Sequence, residues 1–183
     1  MNDLKDKFAT GRGKETLFRV TARNQIELIA IADNKANIVI GINVLLITVV
    51  LAIFGSDLQT GDRFIMTRME LVIPFGILLF TSLLSAVFAM LAAKPNIIKP
   101  KSEASTSKLF FQNFYRETLE EYFADMYEVL SSREKTYRQM IIDMYYNGIV
   151  LKEKYSLLSR SYNILMFGLV ASVVAYLVTV SVS

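Results

Sequence analysis

The stretch "ADNKANIVIGINVLLITVVLAIF", residues 32–54, decides the fold class. From Asn37 to Phe54 it is long and apolar enough for a helix to cross a hydrocarbon layer of about 30 Å, which takes roughly 20 residues. It also carries Asp33, Lys35, Asn37 and Asn43 to the edge of that layer or into it. Two more segments, Leu71 to Ala93 and Tyr162 to Val182, meet the same length test. A composition of 53% hydrophobic residues, above that of ordinary soluble domains, agrees with a membrane chain.

The reading is an all-α membrane protein with three transmembrane helices and cytoplasmic helical extensions, the last a long continuous helix that runs into the third span. Its expected parts are a cytoplasmic tail and helix (1–36), a transmembrane hairpin with spans 37–54 and 71–93, a cytoplasmic helical region (94–161) and a third span (162–183). The polar residues before the first span do not form a short basic leader, so that span is expected to persist in the mature protein.

Lys and Arg near the ends of spans set orientation. Arg12, Lys14, Arg19, Arg23 and Lys35 precede span one, Lys94, Lys99, Lys101 and Lys108 follow span two, and Lys152, Lys154 and Arg160 precede span three. The loop joining spans one and two has only Arg63 and Arg68. The N-terminus and residues 94–161 are therefore expected in the cytoplasm, with the C-terminus outside.

The chain has no cysteine and no histidine, which removes disulfides, thiolate nucleophiles, His-based metal sites and imidazole bases. A net charge of +3, with bases and acids interleaved, gives no nucleic-acid footprint. Glu117, Glu120, Glu121 and Asp125 read as a solvated helix face, because no loop motif of metal ligands accompanies them. "GRGK" (11–14) lacks the strand and glycine spacing of a phosphate loop. No nucleophile and base pair up, so neither catalysis, metal nor cofactor is expected.

Two capping-box spacings, Thr118 with Glu121 and Ser131 with Glu134, predict a helix from Leu119 to Leu130 and a second from about Ser132. The second has no stop signal. Ile141, Met144, Gly148, Leu151, Tyr155, Leu158, Tyr162 and Leu165 recur at 4,3 spacing into span three, which predicts one helix of about 50 residues. In the first helix Ile26, Ile29, Asp33, Ala36, Ile40, Asn43 and Ile47 form one seam. Arg23, Glu27, Ala30, Asn34, Asn37, Gly41 and Thr48 form a second face. A carboxylate facing lipid is costly, so Asp33 on a packed face should meet a cation or donor, while Lys35 snorkels to headgroups. Fixing the register of helix packing would explain Asp33 and Asn43 equally well. Ser82, Ala86, Ala89 and Ala93, and Gly168, Ser172, Ala175 and Thr179, are rows of small residues that allow close helix approach.

Aromatic residues crowd the cytoplasmic region, and about three in four are expected to form its core. The others can stack on a base while Arg or Lys holds a phosphate. Nothing in the spacing selects among Arg116, Arg133, Arg138 and Lys152.

"RNQIELIAIADNKANIVIGINVLL" (23–46) resembles the opening of the Pycsar effector transmembrane proteins of bacteria, on Asn24, Ala32, Asp33, Lys35, Ala36 and Asn43. "LFFQNF" (109–114) is similar to that family's Phe-Phe-Gly-x-Phe element, with Gln112 where glycine is usual, and "EEYFADM" follows. "LKEKYSLLSRSYNILMFGL" resembles its Lys-Tyr element, on Lys154 and Tyr155. The resemblance implies an effector of antiphage defence, and the leading expectation is an oligomeric effector in the bacterial inner membrane. A partner cyclase makes a cyclic nucleotide, cyclic CMP or cyclic UMP, and the effector impairs the membrane in an abortive infection. Phe111, Tyr115, Arg116, Arg138, Lys154 and Tyr155 are the candidate ligand residues. Asn24, Asp33, Asn34, Lys35, Asn37, Gly41, Asn43 and Thr48 are the candidates for packing or gating, and Asn34, Asn37, Gly41 and Thr48 for a water-lined path. A constitutive membrane scaffold for a soluble partner is the main rival, and an enzyme acting on lipid or nucleotide a weaker one.

Overall fold

A computed structural model describes residues 11–60, 69–95, 108, 114 and 117–182. These form α1 (Gly11–Thr60), α2 (Met69–Ala93), α3 (Leu119–Leu130) and α4 (Arg133–Val182), and no strand occurs among them. Three of the helices contain stretches long and apolar enough to cross a membrane, Gly13–Ser56, Glu70–Ala93 and Arg133–Ser181. The all-α membrane fold with a long last helix is therefore as expected, and α4 runs for 50 residues.

Local chemistry sets the ends. α2 closes with Lys94 N donating to Met90 O at 2.9 Å, and it stops there because Pro95 crowds the residue before it out of the helical region. α3 opens on the expected capping box: Thr118 Oγ1 accepts from Glu121 N, and the Glu121 carboxylate accepts from Thr118 N at 2.8 Å. The start of α4 differs from expectation. Ser131 is the C-cap of α3, with its amide and hydroxyl both turned back to the Glu128 carbonyl. It is the Ser132 hydroxyl that accepts from Lys135 N, so the expected Ser131 and Glu134 box does not form.

The chain divides into two compact units, Met1–Ala30 with Pro95–Lys152 and Ile31–Lys94 with Glu153–Ser183. In the first, Phe18 stacks on Tyr137 with ring centroids 5.5 Å apart, and Gln25 Nε2 donates to Met144 O at 3.2 Å. Phe114 packs on Tyr122 at 4.6 Å. Fewer aromatics are packed than the composition suggests: Phe123, Tyr127 and Tyr145 are largely exposed. Phe110, Phe111 and Tyr115 lie outside the described residues. Lys108 sits between Glu117 and Asp125, and its hydrogen bond with Asp125 holds its pKa above the ordinary lysine value. Two of the four acids read as a solvated face are thus ion-paired.

The second unit packs α1, α2 and the end of α4 through small residues. Ala36 and Val39 of α1, Ala89 and Ala92 of α2, and Leu158 and Leu165 of α4 form its apolar cluster. On α1 the buried positions are Ala32, Ala36, Val39, Asn43 and Val50. This stripe lies a fraction of a turn from the expected seam, in which Ile40 and Ile47 are only partly covered. Ile26, expected in that seam, is exposed in the first unit. On α4 the buried positions are Lys154, Leu158, Ser161, Leu165 and Gly168. Tyr162, expected to face inward, is turned outward, and Ile141 is exposed in the first unit.

Candidate functional site

The polar side chains within the second unit form successive layers between the three helices. Helix association in lipid lacks a hydrophobic driving force, so such groups and close backbone contacts set the packing.

The first layer is ionic. Lys154 of α4 is 3% exposed, and its Nζ donates to Asp33 Oδ1 of α1 at 2.5 Å. The same nitrogen reaches Ala92 O at 3.0 Å and Lys94 O at 3.5 Å. An ammonium has three hydrogens and no acceptor, and here three acceptors surround it. Two of these are carbonyls at the end of α2, where the helix leaves carbonyls unpaired and a cation is favoured. One side chain thus ties α1, the end of α2 and α4 together, and Asp33 has the cation its position asks for.

The second layer is neutral. Asn43 Nδ2 donates to Ser85 Oγ and to Val39 O, each at 3.0 Å. Ser85 Oγ donates to Ser161 O at 2.9 Å, and Ser161 Oγ donates to Ser85 O at 2.7 Å. Asn43, Ser82, Ser85 and Ser161 are all fully buried. Asn43 Oδ1 and Ser82 Oγ, by contrast, have no hydrogen-bond partner.

Farther along α4, Gly168 lies directly against Thr81 of α2. Ser172 Oγ donates to Pro74 O at 2.9 Å. Pro74 lacks the amide hydrogen that would bond the Glu70 carbonyl. The Thr179 hydroxyl lies 3.2 Å from that carbonyl and shares its hydrogen with Ala175 O at 2.9 Å and Tyr176 O at 3.0 Å in its own helix. Freed backbone groups in membrane helices are satisfied by neighbouring hydroxyls in this way.

Of the sequence candidates, Asp33 and Asn43 are brought into these layers. Asn24, Asn34, Lys35, Asn37, Gly41 and Thr48 are exposed on the single chain. Thr48 satisfies its hydroxyl within α1 on Val44 O at 2.8 Å, and a Cβ at Gly41 would meet nothing within 4 Å. Arg138 is exposed in the first unit, whereas Lys154 and a half-buried Tyr155 belong to the second. Phe111, Tyr115 and Arg116 lie outside the described residues. Sequence reasoning missed Ser85 and Ser161. The row Gly168, Ser172, Ala175 and Thr179, continued backwards at its own 4,3 spacing, lands on Leu165, Ser161, Leu158 and Lys154 and would have found Ser161. No group of three or more Asp or Glu among the described residues could hold a metal.

The model of the Pycsar effector protein domain matches residues 16–180. The chain belongs to the Pycsar effector family. The match takes in every polar layer, from Asp33 to Thr179. A Pycsar effector acts in antiphage cyclic-nucleotide signalling, and its three apolar helices make this one a membrane protein. No curated protein and no solved structure matches the chain.

Proposed function

We propose that this Pycsar effector responds to a cyclic nucleotide made by a partner cyclase by impairing the bacterial inner membrane. It does so without catalysis and as a homo-oligomer. The observation that carries the reading is the family match over residues 16–180, which spans three membrane-length helices held by breakable polar layers. Only 17%, 22% and 17% of the apolar windows of those helices is buried within one chain, which leaves wide faces for lipid and for further copies. Asn34, Asn37, Gly41 and Thr48 occupy one such face of α1 and are where copies would line a water-filled path. The Lys and Arg residues flanking the spans favour a cytoplasmic N-terminus and cytoplasmic residues 94–161, on the side where the signal would be made. For a near-complete switch the signal has to bind the leaky arrangement more tightly by about 5.5 kcal/mol.

The test is expression with cyclic CMP or cyclic UMP supplied by a cyclase, with a potential-sensitive dye as readout. Depolarisation that needs both protein and nucleotide is expected. Unchanged potential with either nucleotide, together with no thermal shift of the solubilised protein, overturns the reading. A constitutive scaffold is favoured by one observation, the outward-facing Leu119, Phe123, Tyr127 and Leu130 of α3. That reading predicts a stable soluble protein on detergent pull-down and no response to nucleotide.

A further inference from the structure

We propose that the Lys154 and Asp33 pair is the latch that keeps the three-span unit closed, and that its opening is the event that makes the unit leaky. The inference deepens the proposed function and rests on it.

Two features distinguish this contact from one that only fixes packing register. Of the layers described above it is the charged one: the ammonium of Lys154 on α4 contacts the Asp33 carboxylate of α1 and the last carbonyls of α2. Parting the helices here uncovers an ion, which parting the neutral Asn43, Ser85 and Ser161 layer does not. It is also lopsided. The Lys154 side chain is 4% exposed and that of Asp33 38%. A buried charge deprived of its partner is strongly unfavourable, whereas one in reach of water is not, so the two halves of the pair differ in what their loss does. Without the Asp33 charge the ammonium is left facing carbonyl dipoles alone, and the unit can relieve it only by letting water in or by moving α4. Without the Lys154 charge, Asp33 can be hydrated where it stands, and α2 loses only a cation at its C-terminus. Removing both charges leaves no uncompensated ion.

These differences fix an order that a merely structural contact does not give. Full-length protein in proteoliposomes of phosphatidylethanolamine and phosphatidylglycerol, loaded with a self-quenching dye, is compared as wild type, Asp33→Asn, Lys154→Met and the double variant, with no nucleotide present. Asp33→Asn is expected to raise dye release about tenfold, within the range of single couplings between states. Lys154→Met should raise it less, and the double variant should fall below Asp33→Asn. Circular dichroism and size-exclusion profiles identify any variant that does not fold. If Asp33→Asn does not fold, Lys154→Met against the double variant carries the comparison, and tighter vesicles with the double variant support the latch. Folded variants with release at the wild-type level, or with effects that simply add, overturn it. Wild-type vesicles receiving cyclic CMP or cyclic UMP separate the two ideas. Nucleotide-triggered release with tight Asp33→Asn vesicles sinks the latch and keeps the proposed function. Leaky Asp33→Asn vesicles beside unresponsive wild type keep the latch and sink the nucleotide response.

Discussion

Gly168 of α4 faces Thr81 of α2 so closely that no side-chain carbon fits between them. A Cβ there would meet the hydroxyl, the methyl and the Cβ of Thr81 at once, and the Thr81 hydroxyl is itself tied to Ile77 O at 2.9 Å. Gly168→Ala therefore forces α2 and α4 apart. Overpacking of this kind costs roughly 1–3 kcal/mol. Thermal unfolding in detergent should show the loss. Adding Thr81→Ala should restore little, because the Thr81 Cβ occupies the same space, whereas Thr81→Gly should restore most of it.

Asn43, Ser85 and Ser161 act as one hydrogen-bonded group, so their substitutions should not add. Asn43→Leu is expected to lower stability by about 0.6 to 1.7 kcal/mol, the range measured for polar contacts between membrane helices. Ser85→Ala should cost more than Ser161→Ala, since Ser85 also accepts from Asn43. The double serine variant should be less destabilised than the sum of the singles, as a double-mutant cycle on unfolding free energies would record.

The Glu121 carboxyl is held below its ordinary pKa, chiefly by the Thr118 backbone amide and then by the Thr118 hydroxyl. A carboxyl with a depressed folded pKa contributes stability that is complete above its unfolded value and disappears as pH falls through the folded one. The amide protection of the first turn of α3 should start to weaken as pH falls through the usual carboxylate range and be lost once pH is below the depressed value. In Thr118→Ala the hydroxyl's part of the depression is gone, and protection should fail at higher pH. Hydrogen exchange of α3 amides across an acid series reads both.

Phe18 and Tyr137 stack with an interplanar angle of 25° in the first unit. A double-mutant cycle with Phe18→Ala and Tyr137→Ala should return a coupling of about 0.5–1.5 kcal/mol beyond the area each ring buries. A coupling near zero would remove the pair from the contacts that hold α1 to α4 there.

Fold class was legible because length and hydropathy alone identify helices that cross a bilayer, and the Thr118 box gave α3 its start directly. The phase of the membrane helices was harder to read. In a soluble helix the apolar stripe points inward, but in lipid the outward face is apolar as well, so hydrophobicity does not separate inside from outside. That is why Tyr155 and Tyr162 looked like seam residues on α4 when their neighbours Lys154 and Ser161 hold the inner positions. Asp33 and Asn43 were legible for the opposite reason, since a polar group in that setting has few tolerable places to point. The ligand candidates were not legible to the same degree, because stacking and phosphate contacts impose no fixed spacing along a helix.

The carbonyls at the end of α2 receive a cation from a lysine that lies 62 residues beyond Ala92 in the chain. A ribosome adding about 5–20 residues per second delivers that lysine roughly 3–12 s later. Until α4 is made, Asp33 and the end of α2 lack the cation they share. The arrival of Lys154 is then also the moment of charge balance for this layer, and a chain interrupted before it would leave Asp33 without that cation.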